Sequence, residues 1–181
     1  CLSIAGDIDP TQAKIWIEKY FGSIEKGTHE IPRPTIVEPE KFAEVRDTVY
    51  DNIQLPAVVQ GYHGPAQGTD DAYAVEMMSM ILSQGNSSRF QKNIVDKQQK
   101  AVYSGAFPMS TEDPGLILMF GIANMGVDVL DLENSMNLEI DTMMKELISE
   151  REFEKLQNQI ENDFITANAS MAGIAESLSD Y

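Results

Sequence analysis

Eight residues, Leu116 to Ala123 (LILMFGIA), run apolar almost without interruption between the turn residues Thr111-Glu112-Asp113-Pro114-Gly115 and Asn124. A run of that kind reads as an inner strand covered on both faces, and an inner strand needs a neighbour on each side. The strand-like stretch Val102 to Phe107 lies just before the turn, so the two form an antiparallel hairpin. Ala57 to His63 and Val45 to Tyr50 carry β-branched and aromatic residues, separated by Asp51-Asn52 and Pro56, and read as two further strands. Leu2 to Ala5 reads as a short buried strand.

Helical periodicity occupies the intervals. After the turn residues Gly6-Asp7-Ile8-Asp9, with Pro10 near a helix start, Ala13, Trp16, Ile17 and Tyr20 recur at helical spacing up to the stop at Gly22. Gly27, Pro32, Pro34 and Pro39 then interrupt any pattern between Lys26 and Lys41, which makes that stretch an extended connector within the domain, since no independent core precedes it. Tyr73, Met77, Met78, Ile81 and Leu82 share one helix face, stopped by Gly85-Asn86, and a second helix runs from Ser88 to about Gln98. A third passes through Met136, Ile140, Met143, Met144, Leu147 and Ile148. Ser149-Glu150-Arg151-Glu152 has the pattern of a capping box. Beyond it Phe153, Leu156, Ile160, Phe164, Ala167, Met171, Ile174 and Leu178 form one unbroken apolar stripe of a long helix. Strands and helices in this order predict an α+β fold, a mainly antiparallel sheet with helices packed on one face. One domain over residues 1–181 is the natural expectation. The chain starts inside a strand-like stretch without an initiator Met, which predicts a piece of a longer polypeptide.

Charge excludes some partners. Asp and Glu outnumber Lys and Arg by 29 to 13, a net charge of −16. A nucleic-acid backbone draws affinity from clustered Lys and Arg, so nucleic acid is not an expected partner, and an anionic membrane surface is disfavoured for the same reason. No apolar run approaches the roughly 20 residues of a membrane span. Cys1 is the only cysteine, so the chain holds neither a disulfide framework nor a thiolate cluster.

Sites of familiar chemistry are largely missing from the pattern. The two histidines, His29 and His63, belong to no H-E-x-x-H or H-x-x-E-H motif, so no self-contained zinc site of that type is expected, and His63 reads as a strand-end residue with local hydrogen bonds. Ser87 and Ser88 lack a nucleophile elbow or a paired histidine and read as helix caps. Gly85 to Arg89 lacks the glycine spacing and lysine of a phosphate loop, which leaves a helix joint with Arg89 tied to a carboxylate. Asp7 and Asp9 fall short of the six to eight oxygens of a calcium site and read as caps. The ten methionines read as core fill.

Three stretches in order carry a resemblance: IAGDIDPTQAKIWIEKYFGSI (Ile4 to Ile24), ILSQGNSSRFQKNIVDKQQKAVYSGAF (Ile81 to Phe107) and SEREFEKLQNQIENDF (Ser149 to Phe164). Together they resemble the C-terminal, non-zinc domain of peptidases of the M16 family, the pitrilysin, insulinase and mitochondrial processing peptidase group, and Glu112 to Asp128 looks most like bacterial two-domain members. The resemblance implies a ferredoxin-like αβ module. It also implies zinc-dependent proteolysis of peptides inside a clamshell of paired halves, with zinc held in the preceding domain and none in this chain. The implied partners are that N-terminal domain, a second M16 half or subunit and a peptide substrate. This domain would wall the chamber and be inactive by itself. The alternative is a non-catalytic scaffold or interaction domain of an inactive M16 homologue. A bacterial periplasm or cytoplasm is the implied location. Some members place an Arg and a Tyr seven positions apart facing the zinc, where they hold substrate and stabilise an oxyanion. Tyr103 matches the tyrosine, but Asp96 stands where the arginine would be, and a carboxylate repels an oxyanion. Tyr103 is therefore the one candidate site residue, as a chamber-lining side chain.

Overall fold

In a computed structural model that describes residues 1–33, 35 and 38–180, the last by its backbone alone, Leu116–Ala123 is the middle strand, β3, of a three-stranded sheet. The strands β1 (Ala57–His63) and β2 (Ala101–Met109) flank it, both antiparallel to it, in the order β1-β3-β2. The predicted hairpin between β2 and β3 forms. Gly115 is needed at its turn, where a Cβ would collide with the Met109 carbonyl.

Helices cover one face of the sheet. α2 (Asp70–Ser83) follows β1, and Thr69 caps it by accepting from the Ala72 amide at 3.2 Å. A π-helix, Phe90–Lys97, leads into β2. α3 (Val129–Lys145) follows β3, its first turn capped by Asp128, which accepts from the Leu130 amide at 2.9 Å. Leu82, Phe90, Ile94, Leu132 and Met136 are fully buried against Ala101, Ala106, Met119 and Ala123 of the sheet. The helices thus supply the bulk and the sheet the small residues. At Gly121 a Cβ would stand 2.9 Å from Met136 Sδ and 3.0 Å from Leu132 Cδ2, so a glycine is what lets α3 approach this closely.

Two units divide the chain, one of Asp51–Asn162 and one of Cys1–Tyr50 with Asp163–Tyr181. The core belongs entirely to the first. The second holds α1 (Pro10–Phe21), the end of α4 (Glu150–Ala167) and α5 (Met171–Asp180), and none of its described residues is buried.

Four expectations need correction. Leu2 to Ala5 and Val45 to Tyr50 pair with no strand and are irregular; in both, strand propensity is present and a neighbouring strand is not. The long C-terminal helix is two helices, because Asn168 turns back to donate to the Phe164 carbonyl and Ser170 accepts from the Gly173 amide, local bonds that compete with continued helix. The third helix starts at Val129 and stops at Lys145, leaving Leu147 98% exposed. Finally β3 is the inner strand but is covered by helices on one face only. Within the connector, Pro34, Ile36 and Val37 lie outside the described residues; the described residues of that stretch are in neither helix nor strand, as expected.

Candidate functional site: the open face of the sheet

Strand side chains alternate between faces, so the residues not packed under the helices form a second surface. On β3 these are Leu116, Leu118, Phe120 and Ile122. Their partners are Ala57, Val59, Gly61 and His63 of β1 and Tyr103, Gly105, Phe107 and Met109 of β2. No Asp, Glu, Lys or Arg occurs among the twelve. Val59 is 69% exposed, Tyr103 50% and Met109 49%. An apolar, partly solvent-facing sheet surface on an otherwise strongly acidic chain is a candidate interaction surface.

A single irregularity decides which residues stand on it. Ala101 pairs with Ala123 but Tyr103 pairs with Ile122, so Val102 is an extra residue in β2. Such a bulge shifts the alternation by one position and re-aims every side chain that follows. Ser104 and Ala106 thereby fall under the helices, and Tyr103 and Phe107 fall on the open face. Entry into the bulge is fixed from below. Lys100 donates to Asp131 at 2.7 Å and to Ser135 Oγ at 3.0 Å, while Ser135 donates to Gln98 at 2.8 Å. Asn124 donates to the carbonyl of Gln99, whose φ of 54° ends the π-helix.

The aromatic side chains form a built platform. Tyr103 and Phe120 stack with ring centroids 5.3 Å apart, and Phe107 meets Phe120 edge-on at 5.9 Å. Gly105 lies beneath them, since a Cβ there would stand 3.1 Å from Phe120 and 3.2 Å from Tyr103. Aromatic rings spread over a strand glycine in this way shield the backbone and keep flat apolar faces outward.

The other singled-out residues go elsewhere. Asp96 accepts from Gln91 at 2.9 Å, a pairing five residues apart that the wider turn of a π-helix permits. Tyr103 and Asp96 thus have separate partners. Asn93 on the same π-helix donates to the buried Glu139 of α3 at 2.9 Å. Arg89 is tied to a carboxylate as expected: Nε and one terminal nitrogen reach Glu152 at 2.8 and 3.1 Å. That bidentate pair raises the arginine pKa further and holds the Glu152 carboxyl at about 2. Glu152 also closes the predicted capping box, accepting from the amide and hydroxyl of Ser149. Asp9 caps α1. The Ser88 hydroxyl, by contrast, is buried with no hydrogen-bond partner and caps nothing. His63 stands at the end of β1 on the rim of the open face, beside a cleft with Asp71 and Met78. Among the described residues no three His, Cys, Asp or Glu side chains gather as a metal site. No helix among them is long and apolar enough to cross a membrane.

Sequence reasoning singled out Tyr103 but missed the surface around it. The signal was available in the alternation of β2, and Val102 scrambled it.

The model of a family described as the peptidase M16 inactive domain matches residues 1–160. A curated relative, the zinc protease PqqE of Helicobacter pylori, is 27% identical over 98% of this chain, which spans only 40% of that relative. Among solved structures, a protease from Helicobacter pylori matches 98% of this chain and 43% of its own, at 24% identity and a TM-score of 0.85. An inactive peptidase domain from Bordetella parapertussis matches 70% of this chain and 68% of its own, at 22% identity and a TM-score of 0.61.

Proposed function

The chain belongs to the peptidase M16 family, as its inactive C-terminal type of domain, and from that premise we propose that its open sheet face is the wall against which a zinc peptidase holds its peptide substrate. The observation that carries this reading is the platform of Tyr103, Phe120 and Phe107, apolar and aromatic and free of charged side chains. An unfolded peptide exposes the apolar side chains that a folded one hides, and such a platform gains by covering them. Zinc and the carboxylate base, which polarise the scissile carbonyl and activate water, come from another domain. The residues of this chain bind, orient and exclude water. Tyr103 acts as a lining residue, and Asp96 leaves it without a cationic helper for an oxyanion.

The test is steady-state peptide cleavage by the full-length polypeptide carrying Phe120→Ser or Tyr103→Ala. KM rises about tenfold, the equivalent of 1.4 kcal/mol of lost apolar contact, with kcat changed much less. Unaltered KM in both variants overturns the wall reading. A full-length polypeptide that binds peptide on this face but never cleaves it places the chain with the scaffold homologues instead.

A further inference from the structure

The unit made of Cys1–Tyr50 and Asp163–Tyr181 has helices but, among its described residues, no buried side chain. On α1, Ala13, Trp16, Ile17, Tyr20 and Phe21 occupy one continuous helix face, yet Trp16 is 56% exposed and Tyr20 64%. Leu2 and Ile4 before it are also exposed, and the backbone around them pairs with no strand. An amphipathic helix draws most of its stability from the face it buries, and a twelve-residue helix is marginal without that. A strand-prone segment with unpaired amides is in the same position.

We propose that residues 2–21 complete the core and sheet of a second domain of the same polypeptide, with Leu2 to Ala5 added as a strand and the Trp16 face of α1 packed over it. The inference does not depend on the wall reading. Length supplies the occupant: this chain makes up 40% of the Helicobacter relative, so most of such a polypeptide lies outside it. The fold comparisons point the same way. The longer protease is matched over nearly all of this chain, whereas the isolated inactive domain is matched over 70% of it. The connector between Lys26 and Lys41 is then a link between domains, which its glycine and prolines suit.

Hydrogen exchange read by mass spectrometry on peptides covering residues 2–21 tests this, in the unmodified 181-residue chain and in the full-length polypeptide. In the 181-residue chain these amides exchange nearly as fast as in an unfolded peptide. In the full-length polypeptide they slow by at least about 100-fold, because they open only with the domain they complete. Equal, fast exchange in both overturns the proposal. So does protection already present in the 181-residue chain: if independent of concentration, the unit is self-sufficient, and if it grows with concentration, a second copy is the occupant. A Trp16→Ser variant of the full-length polypeptide gives a second readout, with the slowing in residues 2–21 reduced at least about tenfold and exchange in β3 unchanged. Loss of protection spread equally into β3 contradicts the assignment of Trp16 to a separate domain.

Discussion

Glu152 joins two hydrogen-bonding systems, the capping box of α4 and the bidentate pair with Arg89 from the joint after α2. Its carboxyl is held at about 2 rather than 4.5, chiefly by the side-chain bonds from Arg89, with burial opposing and Ser149 assisting. A carboxyl depressed in the folded state stabilises the fold above its unfolded pKa and loses that contribution as pH falls towards the folded one. Glu152→Gln therefore costs on the order of 1 kcal/mol at neutral pH, a figure kept small because both groups touch solvent. In urea denaturation at a series of pH values, the gap from wild type is flat above about pH 5.5 and closes between 4.5 and 2. A gap independent of pH down to 2 contradicts the pairing. At Gly105 the prediction concerns geometry: Gly105→Val forces the Tyr103 and Phe120 rings apart, and the ring-current shifts of Tyr103 in NMR spectra collapse towards free-tyrosine values. Unchanged Tyr103 signals rule out the ring-over-glycine arrangement.

At the scale of elements, the closeness of α3 to β3 rests on Gly121. Adding one methyl group there overpacks the contact with Leu132 and Met136, and Gly121→Ala lowers the unfolding free energy by about 1–3 kcal/mol in chemical denaturation. A neutral or stabilising result means α3 sits further off the sheet. The apolar run of β3, the β2 and β3 hairpin, the capping box at Ser149 and the tie between Arg89 and a carboxylate were all legible in the sequence, because each is a local pattern with a local cause. The rest depended on partners. Leu2 to Ala5 has strand composition but no neighbour to pair with. Asn168 and Ser170 break a perfect apolar stripe by side-chain bonds that periodicity does not register. The π-helix and the bulge at Val102 each change the residue count of an element, which pattern matching takes as constant, and the bulge selects the side chains of the candidate site.

For the molecule as a whole, the contrast is between a net charge of −16 and a sheet face with no charged residue. An uncovered apolar face of this kind associates with whatever apolar surface is at hand. The 181-residue chain is expected to self-associate in a sedimentation series of rising concentration, and Phe107→Glu to reduce that association about tenfold or more; a wild-type chain that stays monomeric throughout speaks against a sticky face. Family membership brings the chain into the company of zinc proteases, and what its described residues present is an apolar, aromatic surface. In the proposed function this surface touches the peptide being processed. Photo-crosslinking tests it most directly, with a benzophenone side chain in place of Leu118 in the full-length polypeptide, irradiated during exposure to a labelled unfolded peptide. A crosslink is expected between position 118 and the peptide, removed by excess unlabelled peptide. Peptide captured equally by a benzophenone at exposed Glu154 of α4, with none specific to position 118, would contradict it.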